Sequence, residues 1–428
     1  MRHHCAVSST TSNRPLLPIG EALARILERA TPLASEDVPL AHALGRFLAR
    51  PVAAPLDLPP FSNSSMDGYA IRAADTPGPL RVAGESAAGS PFQGTLGAGE
   101  AVAISTGAVI PDGADAVAEL EIVDVFPVRA EIEIDADIEI GAAVAPGASI
   151  RHAGSDIRRG AQALPAGIRI GPAQIGALAA LGLTEVPCGA RPQVAILATG
   201  SELRPPGEAL GPGQIYDSNR PMLTALAQTA GATVTTIPSV ADTEEAHLDA
   251  LTQALTHDVV ISSGGVSVGP HDLVRGAGRE LGIEEIFWRI ALRPGKPLSF
   301  GVRDRGPAGP RSQQPPTLVF GLPGNPVSAL VCFELFVRPA LARLQGAIDP
   351  APEFELRTLA TTTRRNPHRD DLIRVRITPE GTAEPLAGQQ SHQITASALA
   401  DGLIRIPQGE GEIAAGSELS YLPLHGLV

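Results

Sequence analysis

Hydrophobic positions along the chain change rhythm several times, and each change predicts a different kind of element. Ile19, Leu23, Ile26 and Leu27 recur at helical spacing, and Ala41 to Leu48 repeats the signal, so residues 19–50 predict two helices. Pro51, Pro55, Pro59 and Pro60 then hold the chain extended, because proline fixes φ and keeps the residue before it out of the helical region. From about 68 to 150 the pattern is that of strands. Residues 131–140 alternate acidic and apolar side chains, which predicts a strand with one buried and one wet face. Its acids read as a solvated face rather than a calcium site.

A helix is predicted again over 172–183, and the rhythm changes at Arg191-Pro192. Strands over 193–198, 233–240, 258–262 and 317–320 alternate with helices over 220–230, 243–255, 273–281 and 327–344. Strands separated by helices mean βαβ units and a mostly parallel sheet. Residues 303–316 are polar and proline-rich, an exposed loop between two strands. From about 350 short alternating segments return, such as residues 372–377, and predict a small β domain.

Composition narrows the function classes. At 428 residues the length suggests roughly three domains. A net charge of −13 with 3% aromatic residues leaves neither the basic footprint nor the stacking groups of a nucleic-acid binder. An anion could be held only where positive charge is concentrated locally. Cys5, Cys188 and Cys332 are too few and too scattered for a disulfide framework or a zinc site, which fits a reducing cytoplasm. Residues 1–13 are polar and lack the apolar core of a signal peptide, so they read as a disordered tail. No apolar run reaches the roughly 18 residues that span a bilayer. The best candidate, residues 327–341, carries Glu334 and Arg338.

Lys296 is the sole lysine among 33 basic residues. Lysine is a compact, rotatable point charge suited to a tight oxyanion pocket, and Pro294, Gly295 and Pro297 fix the backbone around it. In open α/β sheets ligands sit at the carboxyl ends of strands. Residues 199–203 and 262–269 follow two such strands and are rich in glycine, whose main-chain N–H groups can approach a phosphate beside the next helix. Asp242 and Asp272 each precede a helix, as caps or as carboxylate ligands to one Mg²⁺. Asp242 with Glu245 matches a capping box. Glu202 suits either a heterocycle's N–H groups or a metal. Residues 321–328 form a rigid proline turn that feeds a helix, with Ser328 in its first turn, where N–H groups are free. Three polar turns stand in the β region: residues 62–70 around Asp67, residues 105–107 with Thr106, and residues 151–157 with Arg151 and Asp156. HExxH, CxxC and a complete GxxxxGK[ST] are absent from the sequence, so zinc protease and P-loop readings lose their usual support.

The segments NSSMDGYAIR (63–72), ISTGAVIPDGADAV (104–117), RHAGSDI (151–157), ATGSEL (198–203), GQIYDSN (213–219), SSGGVSVGPHD (262–272), LRPGKP (292–297) and GLPGNPVSALVCF (321–333) together resemble the molybdopterin molybdenumtransferase family, bacterial relatives of the gephyrin E domain. The resemblance runs in order over roughly residues 15–428. It implies a multi-domain α/β plus β fold: a central three-layer α/β domain with a mostly parallel sheet over 187–345, a β-rich domain over 53–157, a small mixed domain from two segments (14–52 and 158–186), and a C-terminal β domain over 346–428. It implies a cytoplasmic homodimer that inserts molybdenum from molybdate into adenylylated molybdopterin with Mg²⁺-dependent release of AMP. Expected partners are the molybdopterin adenylyltransferase and a molybdoenzyme or cofactor carrier, with neither nucleic acid nor membrane.

By the same resemblance Glu202, Asp217, Asp242, Gly264, Gly265, Ser267 and Asp272 hold the pterin and nucleotide ends of the substrate, with Mg²⁺ on Asp242 and Asp272. Molybdate sits near Arg293, Lys296, Pro323, Pro326 and Ser328, with Arg369 and Ser391 from the last domain. Asp67, Thr106, Arg151 and Asp156 match functional positions of the β domain, which in the dimer faces the partner's α/β domain. The chain departs from the pattern at Arg289 and Arg293, where many relatives have lysine, and at His152 and Ser155. The 303–316 loop is longer than usual. Three rivals are weaker: an adenylylating sister enzyme lacks the flanking β domains, a clustering scaffold needs a partner groove, and a nucleotide hydrolase needs no oxyanion pocket.

Overall fold

The computed structural model describes residues 15–125, 134–240, 243–264, 273–305 and 315–424. At its centre is a six-stranded sheet in the order Thr233–Val240, Gln193–Thr199, Val259–Ser263, Thr317–Leu322, Ser299–Arg303, Glu284–Trp288. The first four strands are parallel. Ser299–Arg303 runs antiparallel to these and Glu284–Trp288 antiparallel to it in turn, a hairpin-like extension whose outer strand the sequence pattern did not predict. Strands Gln193–Thr199 and Val259–Ser263 are buried almost throughout, as parallel strands covered on both faces must be. Val194 and Ile196 pack into one core with the helices Ile19–Arg29, Asn219–Thr229 and Pro326–Cys332. Ala195 and Leu197 face a second core with the helix Glu244–Ala254 and with Ala277 of the helix Leu273–Glu280.

The long helix predicted over 327–344 is one continuous rod with a widened middle. Pro326–Cys332 is α-helical, Phe333–Val337 is a π turn, and Arg338–Leu344 is α-helical again. Pro339 would clash with the carbonyl one α turn earlier, and the wider π turn relieves that clash. The helix predicted over 41–48 does not form. A single 3-10 turn, Leu40–His42, leads into Gly45 at φ 78°, a left-handed conformation that glycine adopts freely. Leu48 then donates to the carbonyl of Ile168 at 3.1 Å, so pairing with a distant segment overrides the local spacing.

That pairing recurs on both sides of the β-rich part of the chain. Ser35–Pro39 pairs with Glu185–Gly189, and Val52–Ala53 with Gln162–Leu164, around a small core that includes Leu48, Ile170, Leu178 and Cys188. Between them a six-stranded sheet runs in the order Ala116–Glu119, Gly68–Ile71, Glu100–Ile104, Gly78–Ser86, Asp137–Ile140, Val123–Val125. Of the strand predicted over 131–140 only Asp137–Ile140 forms among the described residues, with Ile138 and Ile140 buried and both acids exposed. Asp135 at φ 69° turns the chain just before it.

The C-terminal sheet is built from Asp370–Ile377, Gly402–Ile406, Glu418–Pro423 and Glu355–Thr358, with Ala383–Pro385 added beside the first of these strands. Its far edge is borrowed: Leu292–Arg293 pairs in parallel with Asp370 and Asp371. The segment that carries Lys296 therefore sits on the seam between two bodies. Among the described residues no helix is long and apolar enough to cross a membrane.

Candidate active site

The carboxyl ends of the parallel strands open onto a cleft of about 780 Å³. Thr199 and Gly200 end one strand, Ser263 and Gly264 the next, and Gly324, Asn325 and Pro326 follow the third. Gly264 adopts φ 91°, and an added Cβ would lie 2.9 Å from the Thr199 carbonyl oxygen, so the turn is shaped for glycine. Glu202 and Asp217 contribute carboxylates to the cleft wall. Asp217 is 1% exposed; it accepts from the Arg220 backbone N–H at 3.0 Å, and the Arg220 Nε lies 3.2 Å from Oδ2. Gly265, Ser267, Asp242 and Asp272 lie outside the described residues. Thr243, not Asp242, caps the helix that follows, accepting from the Ala246 N–H at 3.3 Å. Among the described residues no group of three or more histidine, cysteine or acidic side chains is placed to hold a metal.

Lys296 is exposed and is not among the residues that line the cleft. No carboxylate among the described residues pairs with its amine. Its turn is rigid: Gly295 adopts φ 122°, where an added Cβ would meet Cys332 Sγ at 2.8 Å, and the Cys332 thiol faces the Gly295 carbonyl at 3.6 Å. Cys332 ends the helix whose first residue, Pro326, lines the cleft. Lys296 is thus set off from the glycine turns by one short helix, on the order of 10 Å at 1.5 Å per residue. Arg293, on the same seam, ion-pairs with the buried Asp371, and its own side chain stays 55% exposed. Burial pushes the Asp371 carboxyl above the usual range, and the Arg293 charge opposes that rise. Arg369 adds positive charge to the same group.

The proline turn supplies the link to the last domain. The Val327 N–H donates to the Ser391 carbonyl oxygen at 3.2 Å, and His392 and Ile394 reach the cleft wall. Pro323 and Ser328 are buried beneath the surface of the turn and do not line the cleft.

The polar turns of the β-rich body form a separate cluster. The Thr106 N–H and hydroxyl both donate to Asp67 Oδ1, at 2.7 and 3.0 Å. These bonds, the backbone one foremost, hold the Asp67 carboxyl below its ordinary range. Arg151 pairs in register with Asn63, and the Asp156 N–H donates to the Leu58 carbonyl at 3.0 Å. Arg151 and Asp156 are exposed, and none of the four residues lines the cleft.

Two cleft residues carried no flag in the sequence. His247 is 5% exposed, with Nδ1 2.9 Å from the Thr243 carbonyl oxygen. Asn219 is 8% exposed, with Nδ2 2.7 Å from both Ser263 Oγ and the Gly324 carbonyl oxygen. Asn219 lay inside a shared segment, but only the fold reveals that it reaches two other strand ends.

Comparison with known proteins accounts for nearly the whole chain. Residues 17–182 match the MoeA N-terminal region (domain I and II), residues 195–343 a probable molybdopterin binding domain, and residues 357–424 the MoeA C-terminal region (domain IV). Molybdopterin molybdenumtransferase 2 of Mycobacterium tuberculosis is 38% identical over 404 residues, covering 90% of this chain and 94% of that protein. The molybdopterin molybdenumtransferase of Haemophilus influenzae is 34% identical over 425 residues, covering 96% and 100%. The molybdopterin biosynthesis moeA protein of Pyrococcus horikoshii superposes with a TM-score of 0.80 at 28% identity, covering 95% of this chain and 100% of that one. With coverage this complete, resting on all three regions at once, this chain belongs to the molybdopterin molybdenumtransferase family, enzymes of molybdenum cofactor biosynthesis.

Proposed function

We propose that this enzyme inserts molybdenum from molybdate into adenylylated molybdopterin and releases AMP in a Mg²⁺-dependent step. The observation that carries the reading is the cleft at the carboxyl ends of the parallel strands, walled by two glycine turns and by Asn325 and Pro326 at the start of the next helix. Glycine turns suit a phosphate, since without a side chain the main chain can approach it closely and needs no side-chain charge. Glu202 and Asp217 then face the N–H groups of the substrate's heterocycles. Arg293, Lys296, Pro323, Pro326 and Ser328 hold molybdate, with Arg369 and Ser391 at the edge of that pocket. A tetrahedral oxyanion needs cations and N–H donors and no general base, and the seam places Lys296 and Arg293 together on one short segment. Protonation of the departing oxo groups eases their replacement by the dithiolene sulfurs. Most of the rate enhancement is positioning and electrostatics.

The donor set fits Mg²⁺, a hard cation that takes one or two carboxylates plus phosphate oxygens and water. Asp242 and Asp272 would hold it, and the described cleft wall adds oxygens from Thr199, Glu202 and Asp217. When bound, the ion stabilises the charge that builds on the phosphoryl oxygens. We further propose a cytoplasmic homodimer in which Asp67, Thr106, Arg151 and Asp156 of one subunit complete the partner's cleft. The adenylyltransferase that makes its substrate and the molybdoenzyme or carrier that takes its product are its expected partners.

AMP release from adenylylated molybdopterin, measured with and without molybdate, tests the reaction. Release that rises with molybdate is expected; release of equal rate in its absence would identify a simple hydrolase instead.

A further inference from the structure

Three elements meet beneath the cleft floor, and one side chain touches all of them. Asn219 opens the helix Asn219–Thr229. Its Nδ2 donates at 2.7 Å to Ser263 Oγ, at the end of one parallel strand, and at 2.7 Å to the carbonyl oxygen of Gly324, in the turn after the neighbouring strand. Those two strands pair in register up to Ser263 and Leu322, and the Gly264 N–H continues the ladder to the Leu322 carbonyl at 3.2 Å. The two turns stay close here, with Gly264 Cα only 3.8 Å from where a Gly324 Cβ would stand.

The orientation of the Asn219 amide follows from its neighbours. A carbonyl oxygen only accepts, so the group facing Gly324 must be the NH₂. That leaves Oδ1 buried with no hydrogen-bond partner, an arrangement that a side chain present only to fill space does not need. Asn219 lines the cleft, but both hydrogens of its amide are spent on Ser263 and Gly324, which leaves it no donor for the substrate. We propose that Asn219 is a positioning residue: it clamps the two strand ends, at Ser263 and Gly324, at the spacing that shapes the cleft for the substrate's phosphate. This rests on the function proposed above for the cleft, and it concerns a residue outside the sites inferred from the family resemblance.

Two variants separate the clamp from simple packing. Asn219→Asp keeps the shape but turns an oxygen toward the Gly324 carbonyl, whereas Asn219→Ala removes the group. In both, kcat for molybdenum insertion should fall about tenfold or more while KM for molybdate moves less than about threefold, because misplaced donors lose transition-state stabilisation first. Hydrogen–deuterium exchange should quicken at residues 263–264 and 321–325 together and stay unchanged over 193–199. If Asn219→Asp matches the parent in both readouts, the side chain only fills space and the proposal fails. Should neither variant fold, Ser263→Ala removes one anchor and retains the other, and it should reproduce the faster exchange at both turns; parental exchange there overturns the clamp. A parent enzyme without molybdate-dependent turnover would sink the functional reading, while the exchange measurement still decides the clamp.

Discussion

Thr106 gives Asp67 two hydrogen bonds from one residue, and they do not weigh equally. The backbone N–H is the larger influence and the hydroxyl the smaller, and both favour the charged carboxylate. A carboxyl whose folded-state value is depressed contributes stability that is present above its unfolded value and fades as pH falls through the folded one. Thr106→Val removes the hydroxyl and keeps the N–H. Asp67 should then titrate above its value in the parent yet still below an ordinary aspartate, and the acid limb of activity should move the same way. A carbon-13 titration of the Asp67 carboxyl checks this; an unmoved titration would mean that the hydroxyl bond carries no weight in solution. The residue scale also shows what a lone residue can signal. The solitary lysine drew attention by its rarity, and the structure sets it on a rigid turn against Cys332, one short helix away from the glycine turns.

Elements hold these residues in place, and the helix behind the cleft is the clearest case. Within its π turn Glu334 is 6% exposed and takes a two-pronged ion pair from Arg338, Nε at 2.6 Å and Nη2 at 2.9 Å. Removing one partner of a buried pair strands the other charge. Arg338→Met should therefore lower stability by about 2–4 kcal/mol, somewhat under the full penalty for a buried pair because the arginine side chain is partly exposed. The shift of a urea midpoint measures it, and Glu334→Leu in the same chain should restore most of the loss. Elements were also what the sequence disclosed best. The alternation from 193 to 344 was legible because each central strand is buried on both faces and each helix on one, so burial wrote apolar runs into the strands and a helical period into the helices. Ala41 to Leu48 misled for the complementary reason: its apolar residues serve a strand-like pairing with Ile168 and Ile170, and Gly45 breaks the helix that their spacing suggests. Glu284–Trp288 was missed because it is an edge strand, short and buried on one side only in part. The candidate site was legible where glycine and proline mark turns. Asn219 was not, since its contacts join segments tens of residues apart, and neither was His247, which bonds within its own helix and enters the cleft only through the fold.

At the scale of the molecule the polar residues fall into two groups on different bodies. Asp67, Thr106, Arg151 and Asp156 gather on turns of the β-rich sheet, and none of them lines the cleft of the same chain. The chain as a whole carries −13, so two copies repel at long range and need local complementarity to associate. Arg151, exposed on the β-rich body, and Glu202 in the cleft of the α/β body are one pair of opposite charges that two copies can offer each other. If each working site combines the β-rich turns of one subunit with the cleft of the other, two inactive variants should rescue one another. Asp67→Asn damages only the β-rich contribution, and Lys296→Ala only that of the α/β body. After the two are mixed in equal amounts and allowed to exchange subunits, half the dimers are mixed, and each mixed dimer holds one intact site of two. The mixture should regain about a quarter of parental activity, as expected for a two-fold symmetric assembly. Sites built within single chains predict no recovery at any mixing ratio, so the same titration of one variant against the other separates the two architectures.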